Sequence, residues 1–330
     1  MKIAVVGLGA VGGLMAARLA AAGHEVCGLA RGATLAAVRA HGLRLAMGGT
    51  QTATPIVASD DAAALGEQDL VVVALKGPAL AAAAGSLRPL LGPQTIVMPA
   101  MNGVPWWFLD AAPADAPLGD RRLVSVDPDG RIAAALPTGR VLGCVVHLTC
   151  ASPEPGLVRH GFGDRLIVGE PGGGVSARTE AVCAALADAG FTAEASPDVR
   201  REVWYKLWGN MTMNPVSALT GAESHRIIDD PLVLAFMLGT MEEARQIGAR
   251  IGCAITQSGG ERMAVARQLG AFKTSMLQDA LAGRPLEIDA LVGAVHEIGT
   301  RLAIPTPNIG ALLGLTRLMA RERGLYPLAL

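Results

Sequence analysis

The sequence predicts an α/β protein, an N-terminal doubly wound sheet followed by a C-terminal all-helical domain. Three observations carry this expectation. Short apolar, β-branched runs alternate with helix-forming stretches through the first 196 residues, the pattern of parallel strands joined by crossover helices. A glycine-rich turn joins the first strand to the first helix. Beyond residue 196 strand periodicity ceases and helical spacing runs to the C-terminus. The reading is therefore one domain over 1–196 and a second over 197–330, the second opened by the helix-start residues Pro197 and Asp198.

The elements follow in order. "KIAVVG" is a short strand ending at Gly7, and "LMAARLAAAG" is a helix closed by Gly23. "HEVCGLAR" is the second strand. "DLVVVALK" (69–76) and "QTIVMPAMNG" (94–103) are apolar on both faces, as buried parallel strands are. "GRVLGCVVHLT" (139–149) and "RLIVGE" (165–170) are later strands, "ARTEAVCAALADAG" a helix and "FTAEAS" the terminal strand.

Composition bounds the function. The chain of 330 residues has a formal net charge of -1, which leaves no basic footprint for nucleic acid. Only 17% of residues are charged against 51% hydrophobic, a surface sparse in charge that is compatible with a homodimer, although composition alone does not show a subunit interface. The five cysteines are scattered and form no C-x-x-C pair, so they read as reduced thiols of a cytoplasmic protein. Arg18 interrupts the apolar start, against a secretory signal. No apolar run reaches the roughly 18 residues of a membrane span, and no metal-ligand set is seen.

Gly7, Leu8, Gly9, Ala10, Val11 and Gly12 form a G-x-G-x-x-G turn between a strand and a helix. In that context the first glycine permits the tight turn, the second lets a pyrophosphate approach and the third lets helix and strand pack. The helix N-terminus then offers free N–H groups to phosphate. In this context the motif reads as the Rossmann signature of a dinucleotide site; the alternative is a glycine turn with no ligand. Where NAD-binding sites place an acid at the end of the second strand, this chain has Arg31. A guanidinium clamps a 2′-phosphate, which favours NADP(H) over NAD; alternatively Arg31 is a solvated surface residue. Lys76 ends the 69–76 strand, the edge where open α/β sheets bind ligands, although a surface lysine fits the same position. Asn102 ends another strand, and its Asn-Gly pair is also an ordinary turn.

In the helical part, Lys206, Asn210 and Asn214 stand at i, i+4 and i+8, on one face of a helix that also holds Trp204 and Trp208. That face is either a solvated polar stripe or one wall of a site. Pro215 should kink or end the helix. A second cluster spans 272–289, with Ser275 and Asp279 at i, i+4 and Glu287 opening the next helix, where any helix welcomes an acid.

Taken together, "GLGAVGG", "ALKG", "NGV", "REVWYKLWGNMTMNP" and "SMLQDALAGRPLEID", in this order over nearly the whole chain, resemble the ketopantoate reductases (2-dehydropantoate 2-reductases). The resemblance implies a Rossmann domain, a helical domain and NADPH-dependent reduction of 2-dehydropantoate to pantoate, in pantothenate and coenzyme A synthesis. It makes Lys206 the catalytic proton donor and Asn210 and Asn214 substrate-binding residues. Asn102 becomes the asparagine shared by cofactor and substrate, and Ser275 the holder of the substrate carboxylate. Arg31 and Lys76 become cofactor contacts, Thr149 a backbone contact to the cofactor, and Glu287 an acid touching cofactor and substrate. The chain departs from the family pattern at Ser224 and Phe272, where asparagines are usual. Trp106 and Trp107 follow Asn102 beside the expected nicotinamide pocket, and the stretch after them is long. These departures leave open a related reductase of another 2-oxo or 3-oxo acid, or a non-enzymatic NADP-binding regulator. Retention of Lys206, Asn210 and Glu287 speaks against the regulator, which needs no proton donor.

Overall fold

The run Ile3–Val6 is buried and forms the centre of a parallel sheet, strand β1 (Lys2–Val6). The computed structural model describes residues 1–327. The strands that follow are β2 (Glu25–Leu29), β3 (Leu43–Met47), β4 (Thr50–Thr54), β5 (Val57–Ser59), β6 (Gln68–Val73), β7 (Leu91–Pro99), β8 (Gly143–Glu154), β9 (Leu157–Gly169) and β10 (Thr192–Ala195). The first sheet has the order β5-β2-β1-β6-β7 and is parallel throughout. Winding reverses between β1 and β6, with Val5 opposite Gly28 on one side and Val72 on the other. That reversal is the switch point at which doubly wound sheets bind ligands, at their carboxyl edge.

The runs at 139–149, 165–170 and 191–196 build a second sheet, of order β10-β9-β3-β4 with β8 antiparallel to β9. Two residues, Pro155 and Gly156, join β8 to β9. So short a connection permits only an antiparallel pair, because a parallel strand needs a crossover. The β3–β4 hairpin was not expected from the sequence. The helices of this part are α1 (Ala10–Ala21), α2 (Gly32–His41), α3 (Gly77–Ala83), α4 (Arg131–Ala135) and α5 (Ala177–Asp188). The buried side chains of α1, Leu14, Met15 and Leu19, join the core formed by Ile3, Val5, Leu70 and Leu166.

Past β10 the described residues contain no strand. They form α6 (Val199–Thr220), α7 (Ser224–Asp229), α8 (Pro231–Arg250), α9 (Gly259–Gln268) and α10 (Ser275–Leu281). A π-helical turn, Asp289–Gly293, then leads into α11 (Ala294–Arg301) and α12 (Pro307–Glu322). Pro215 does not end α6, which continues for five residues beyond it. Proline inside a helix costs about 3 kcal/mol or more. Burial of Met211, Met213, Val216 and Ala218 around it offsets that cost.

The compact units differ from a single division at 196/197. One comprises Met1–Met101 and Asp129–Glu202, and the other comprises Asn102–Pro128 and the chain from Val203 onward. The reason lies in the apolar side chains of 104–109. Trp106, Trp107, Phe108 and Leu109 are buried, and the Phe108 ring stacks on Trp204 of α6 at 5.8 Å and 19°. The two tryptophans are therefore buried side chains, and the segment that carries them belongs to the helical unit. The far end of this stretch is tied to α11. Glu297 accepts from the N–H groups of Val124 and Ser125 at 2.9 and 2.8 Å, and Arg301 donates to the carbonyls of Asp120 and Arg122.

Candidate active site

The cradle is built as its spacing requires. A Cβ on Gly12 would strike the Gly7 carbonyl oxygen and stand 2.8 Å from Ala74 Cβ, so only glycine lets α1 start this close to β6. Gly7 has φ +93 and abuts Ala74 and Leu75 in the same way. Gly9 differs: nothing lies within 4 Å of where its Cβ would be. That side is open for a ligand. Gly9 caps α1 without a side-chain bond, and the first turn holds no acid. The first-turn N–H groups therefore carry a positive dipole end, and among the described residues none accepts from those of Ala10, Val11 and Gly12. These features fit the pyrophosphate of a dinucleotide. Leu8 is buried against Gly28, so it and its neighbours Ala10 and Val11 can serve a ligand through their backbone.

Arg31 and Lys76 stand just beyond the carboxyl ends of β2 and β6, the two neighbours of β1. Each caps the following helix with extended backbone and no side-chain cap bond. Arg31 is exposed and Lys76 half-buried. Thr149 lies on β8 of the second sheet, where its hydroxyl accepts from the Phe162 N–H at 2.8 Å across the hairpin. The switch-point edge thus gathers Gly7–Gly12, Arg31 and Lys76, while Thr149 belongs to the neighbouring hairpin.

In the helical unit, Lys206 donates from Nζ to Asn102 Oδ1 at 2.8 Å. The Asn102 loop is brought to α6 by its own backbone. Gly103 has φ +84 and lies flat on Ala290, whose carbonyl oxygen would be 2.6 Å from any Cβ. Val104 N–H donates to that same carbonyl at 2.8 Å. The Asn-Gly turn that the sequence leaves ambiguous is therefore both a turn and the mount of a site side chain. Gly103 and Ala290 were not singled out from sequence; nothing local marks a contact so distant along the chain.

Further along the same face, Asn210 is half-buried and Asn214 buried. Asn214 Nδ2 donates to Ser275 Oγ at 3.5 Å. The meeting is set by the helix start beneath it. Thr274 caps α10 by accepting from Leu277 N–H at 3.1 Å, and its hydroxyl also bonds Ser217 of α6. That bond fixes the register of α10 on α6, one residue from Ser275. Ser224 and Phe272, the two departures from the family pattern, meet each other. Ser224 N–H donates to the Phe272 carbonyl, and Phe272 N–H donates to the Ser224 hydroxyl at 3.0 Å. Glu287 is half-buried just before the helical segment that starts at Ile288. The structure thus brings Lys206 to Asn102 and Asn214 to Ser275 on one helix. Together they offer an ammonium, amides and a hydroxyl, a set able to hold a carboxylate and give a proton to an oxygen.

Residues 3–113 match the family model described as ketopantoate reductase PanE/ApbA, and residues 198–320 match its C-terminal counterpart. The chain is 44% identical to the 2-dehydropantoate 2-reductase of Mesorhizobium japonicum, over 99% of this chain and 100% of that one. A crystal structure of a candidate ketopantoate reductase from Ralstonia solanacearum MolK2 is 60% identical with a TM-score of 0.94, covering 98% of this chain and 99% of that one. A D-mandelate dehydrogenase, solved with NADH and anilino(oxo)acetate, shares the fold at a TM-score of 0.85 with 19% identity, over 98% and 100% of the two chains.

Proposed function

Given that the chain belongs to the ketopantoate reductase family and is thereby an oxidoreductase of the 2-dehydropantoate 2-reductase type, we propose that it reduces 2-dehydropantoate to pantoate with NADPH, and that Lys206 is the proton donor. The observation that carries this reading is the Lys206–Asn102 bond of 2.8 Å on the face that also holds Asn210 and Asn214. When bound, the nicotinamide dinucleotide supplies a hydride to the ketone carbon. The cradle at Gly7–Gly12 would hold the pyrophosphate, and Lys76 and Arg31 would contact the cofactor, Arg31 at a 2′-phosphate. Asn102 Oδ1 engages one ammonium proton and so turns another towards the substrate. As charge gathers on the carbonyl oxygen, Lys206 stabilises it and then gives it a proton, leaving a hydroxyl. Ser275 and the two asparagines of α6 hold the carboxylate and hydroxyl of the substrate in line.

The test is steady-state turnover with NADPH and a panel of 2-oxo acids, on the parent and on Lys206→Ala. Turnover of 2-dehydropantoate above the panel is expected. In Lys206→Ala, kcat should fall by about 10²-fold or more, the scale of a lost general acid, with little change in NADPH affinity. Parental kcat in the variant would make the α6 face a structural one. A second reading, reduction of another 2-oxo acid, is favoured by Ser224 and Phe272. The Ser224 hydroxyl donates to the Gly270 carbonyl at 2.8 Å and accepts from the Phe272 N–H at 3.0 Å, so it is engaged within the helical unit rather than left for a substrate. Greater turnover of another panel member would select it.

A further inference from the structure

Glu287 stands on a short span that the C-terminal residues hold at both ends. The Leu325 carbonyl accepts from the Leu286 N–H at 3.0 Å, one residue before Glu287. The Tyr326 hydroxyl bonds both carboxylate oxygens of Asp289, two residues after it, at 2.7 and 2.8 Å. Arg317 of α12 donates to the same Asp289 Oδ1 at 2.9 Å. The approach to the span is fixed as well. Arg284 donates through Nε to Asp279 Oδ1 at 2.8 Å and through its N–H to the Asp279 carbonyl at 2.9 Å.

Asp289 also begins the π-helical turn. Such turns are rare, are seldom favoured by local sequence and occur often at functional sites. This one aims the Ala290 carbonyl at Val104 N–H and so mounts the loop of Asn102. The same few residues therefore serve Glu287 on one side and the Asn102–Lys206 pair on the other. A helix start alone would not need a phenol and a guanidinium on a single carboxylate. Burial and the Asp289 carboxylate push the Tyr326 phenol up to about 12, so it stays a donor at neutral pH.

We propose that Tyr326 and Arg317, acting through Asp289, are positioning residues that hold Glu287 in its working place. The proposal rests on the reading of Glu287 as a site residue. Asp289 and Arg317 are each about a third exposed, at 32% and 33%, and partly exposed ion pairs contribute little to stability. Loss of the clasp should therefore be read in the kinetics and not in the melting.

The experiment is a cycle of four full-length proteins: the parent, Tyr326→Phe, Glu287→Gln and the double variant. Each is assayed for Tm and for kcat and KM with NADPH and the 2-oxo acid turned over best. Tyr326→Phe is expected to lower kcat/KM about tenfold, as coupling within one hydrogen-bonded network allows, with Tm held. In the Glu287→Gln background the same change should cost less than about twofold, since the residue it positions is already disabled. Should Tyr326→Phe fold poorly, Arg317→Met carries the same cycle. Parental kinetics in the clasp variant, equal losses in both backgrounds, or lowered Tm with parental kinetics would each overturn the proposal. If Glu287→Gln is itself kinetically normal, the reading of Glu287 fails and the proposal fails with it. If Glu287→Gln is impaired while the clasp variant is normal, the proposal alone fails.

Discussion

Arg31 stands two residues beyond the end of β2 and caps the next helix with backbone alone. No described residue accepts from its guanidinium, so that cation is available to a ligand. Two charge-assisted bonds to a 2′-phosphate, at about 1.5–3 kcal/mol each for bonds to charged groups, would separate NADPH from NADH. Arg31→Ala is thus expected to raise the KM for NADPH at least tenfold or so, with that for NADH nearly unchanged. Equal losses with both cofactors would remove Arg31 from the phosphate. At this scale the sequence was uneven in what it disclosed. Lys206, Asn210 and Asn214 could be placed on one face because helical spacing is local. Asn102 and Lys206 are 104 positions apart, and no spacing rule reaches so far. The family resemblance put both in the site, but the bond between them and the part of Gly103 beneath it came from the fold. Adjacency to Asn102 places Trp106 and Trp107 near it in the chain, but that their side chains are buried is legible only in the fold.

The start of α5 shows how an element is held. Ser176 caps it by accepting from Thr179 N–H at 3.2 Å and donates to Glu170 Oε1. Arg178, in the first turn, takes both oxygens of Glu170, at 2.8 and 2.5 Å, and also reaches the Gly139 and Val141 carbonyls. One carboxylate therefore joins the end of β9 to α5, and its arginine carries the tie on to the approach to β8. The Arg178 hydrogen bonds hold Glu170 below its ordinary 4.5, against the opposing effect of burial. A carboxylate depressed in the folded state adds stability above its unfolded value and loses it as pH falls through the folded one. Thermal melts from about pH 7 to about pH 3 should therefore show Tm declining below about pH 4.5. Arg178→Ala should melt lower at neutral pH and show a shallower acid decline. An unchanged acid slope in that variant would assign the decline to other carboxylates. Among elements, the strands of the first sheet were legible because both faces are buried and the runs are continuously apolar. The β3–β4 hairpin has a local signal. "LRLAM" and "TQTAT" alternate about a Gly48–Gly49 pair, a turn suited to hairpins. The π-helical turn had none, since the contacts that impose it come from Arg317, Tyr326 and the Asn102 loop.

For the whole molecule, no helix among the described residues is long and apolar enough to cross a membrane. Exposed leucines nonetheless stand at Leu315 and Leu318 of α12 and at Leu232 of α8. Leu315 and Leu318, with the exposed Ala311 and Gly314, leave α12 a small-and-apolar outer stripe, the kind of surface that a partner covers. A homodimer is the expectation, and sedimentation of the parent should give twice the chain mass of 33.8 kDa. Leu315→Glu with Leu318→Glu should return it to one chain mass. A parent that sediments as a single chain at high concentration would leave the stripe to water. The exchange of residues 102–128 between units has a consequence in time. These residues leave the ribosome well before α6, yet Phe108 has its stacking partner in Trp204 and the loop has its tether in α11. The roughly hundred residues between Phe108 and Trp204 take about 5–20 s to add. Through that interval the nascent chain carries two tryptophans and a phenylalanine without the helix that will cover them. The segment bearing Asn102 is made early and seated late, so chaperone capture and proteolysis during synthesis should concentrate there.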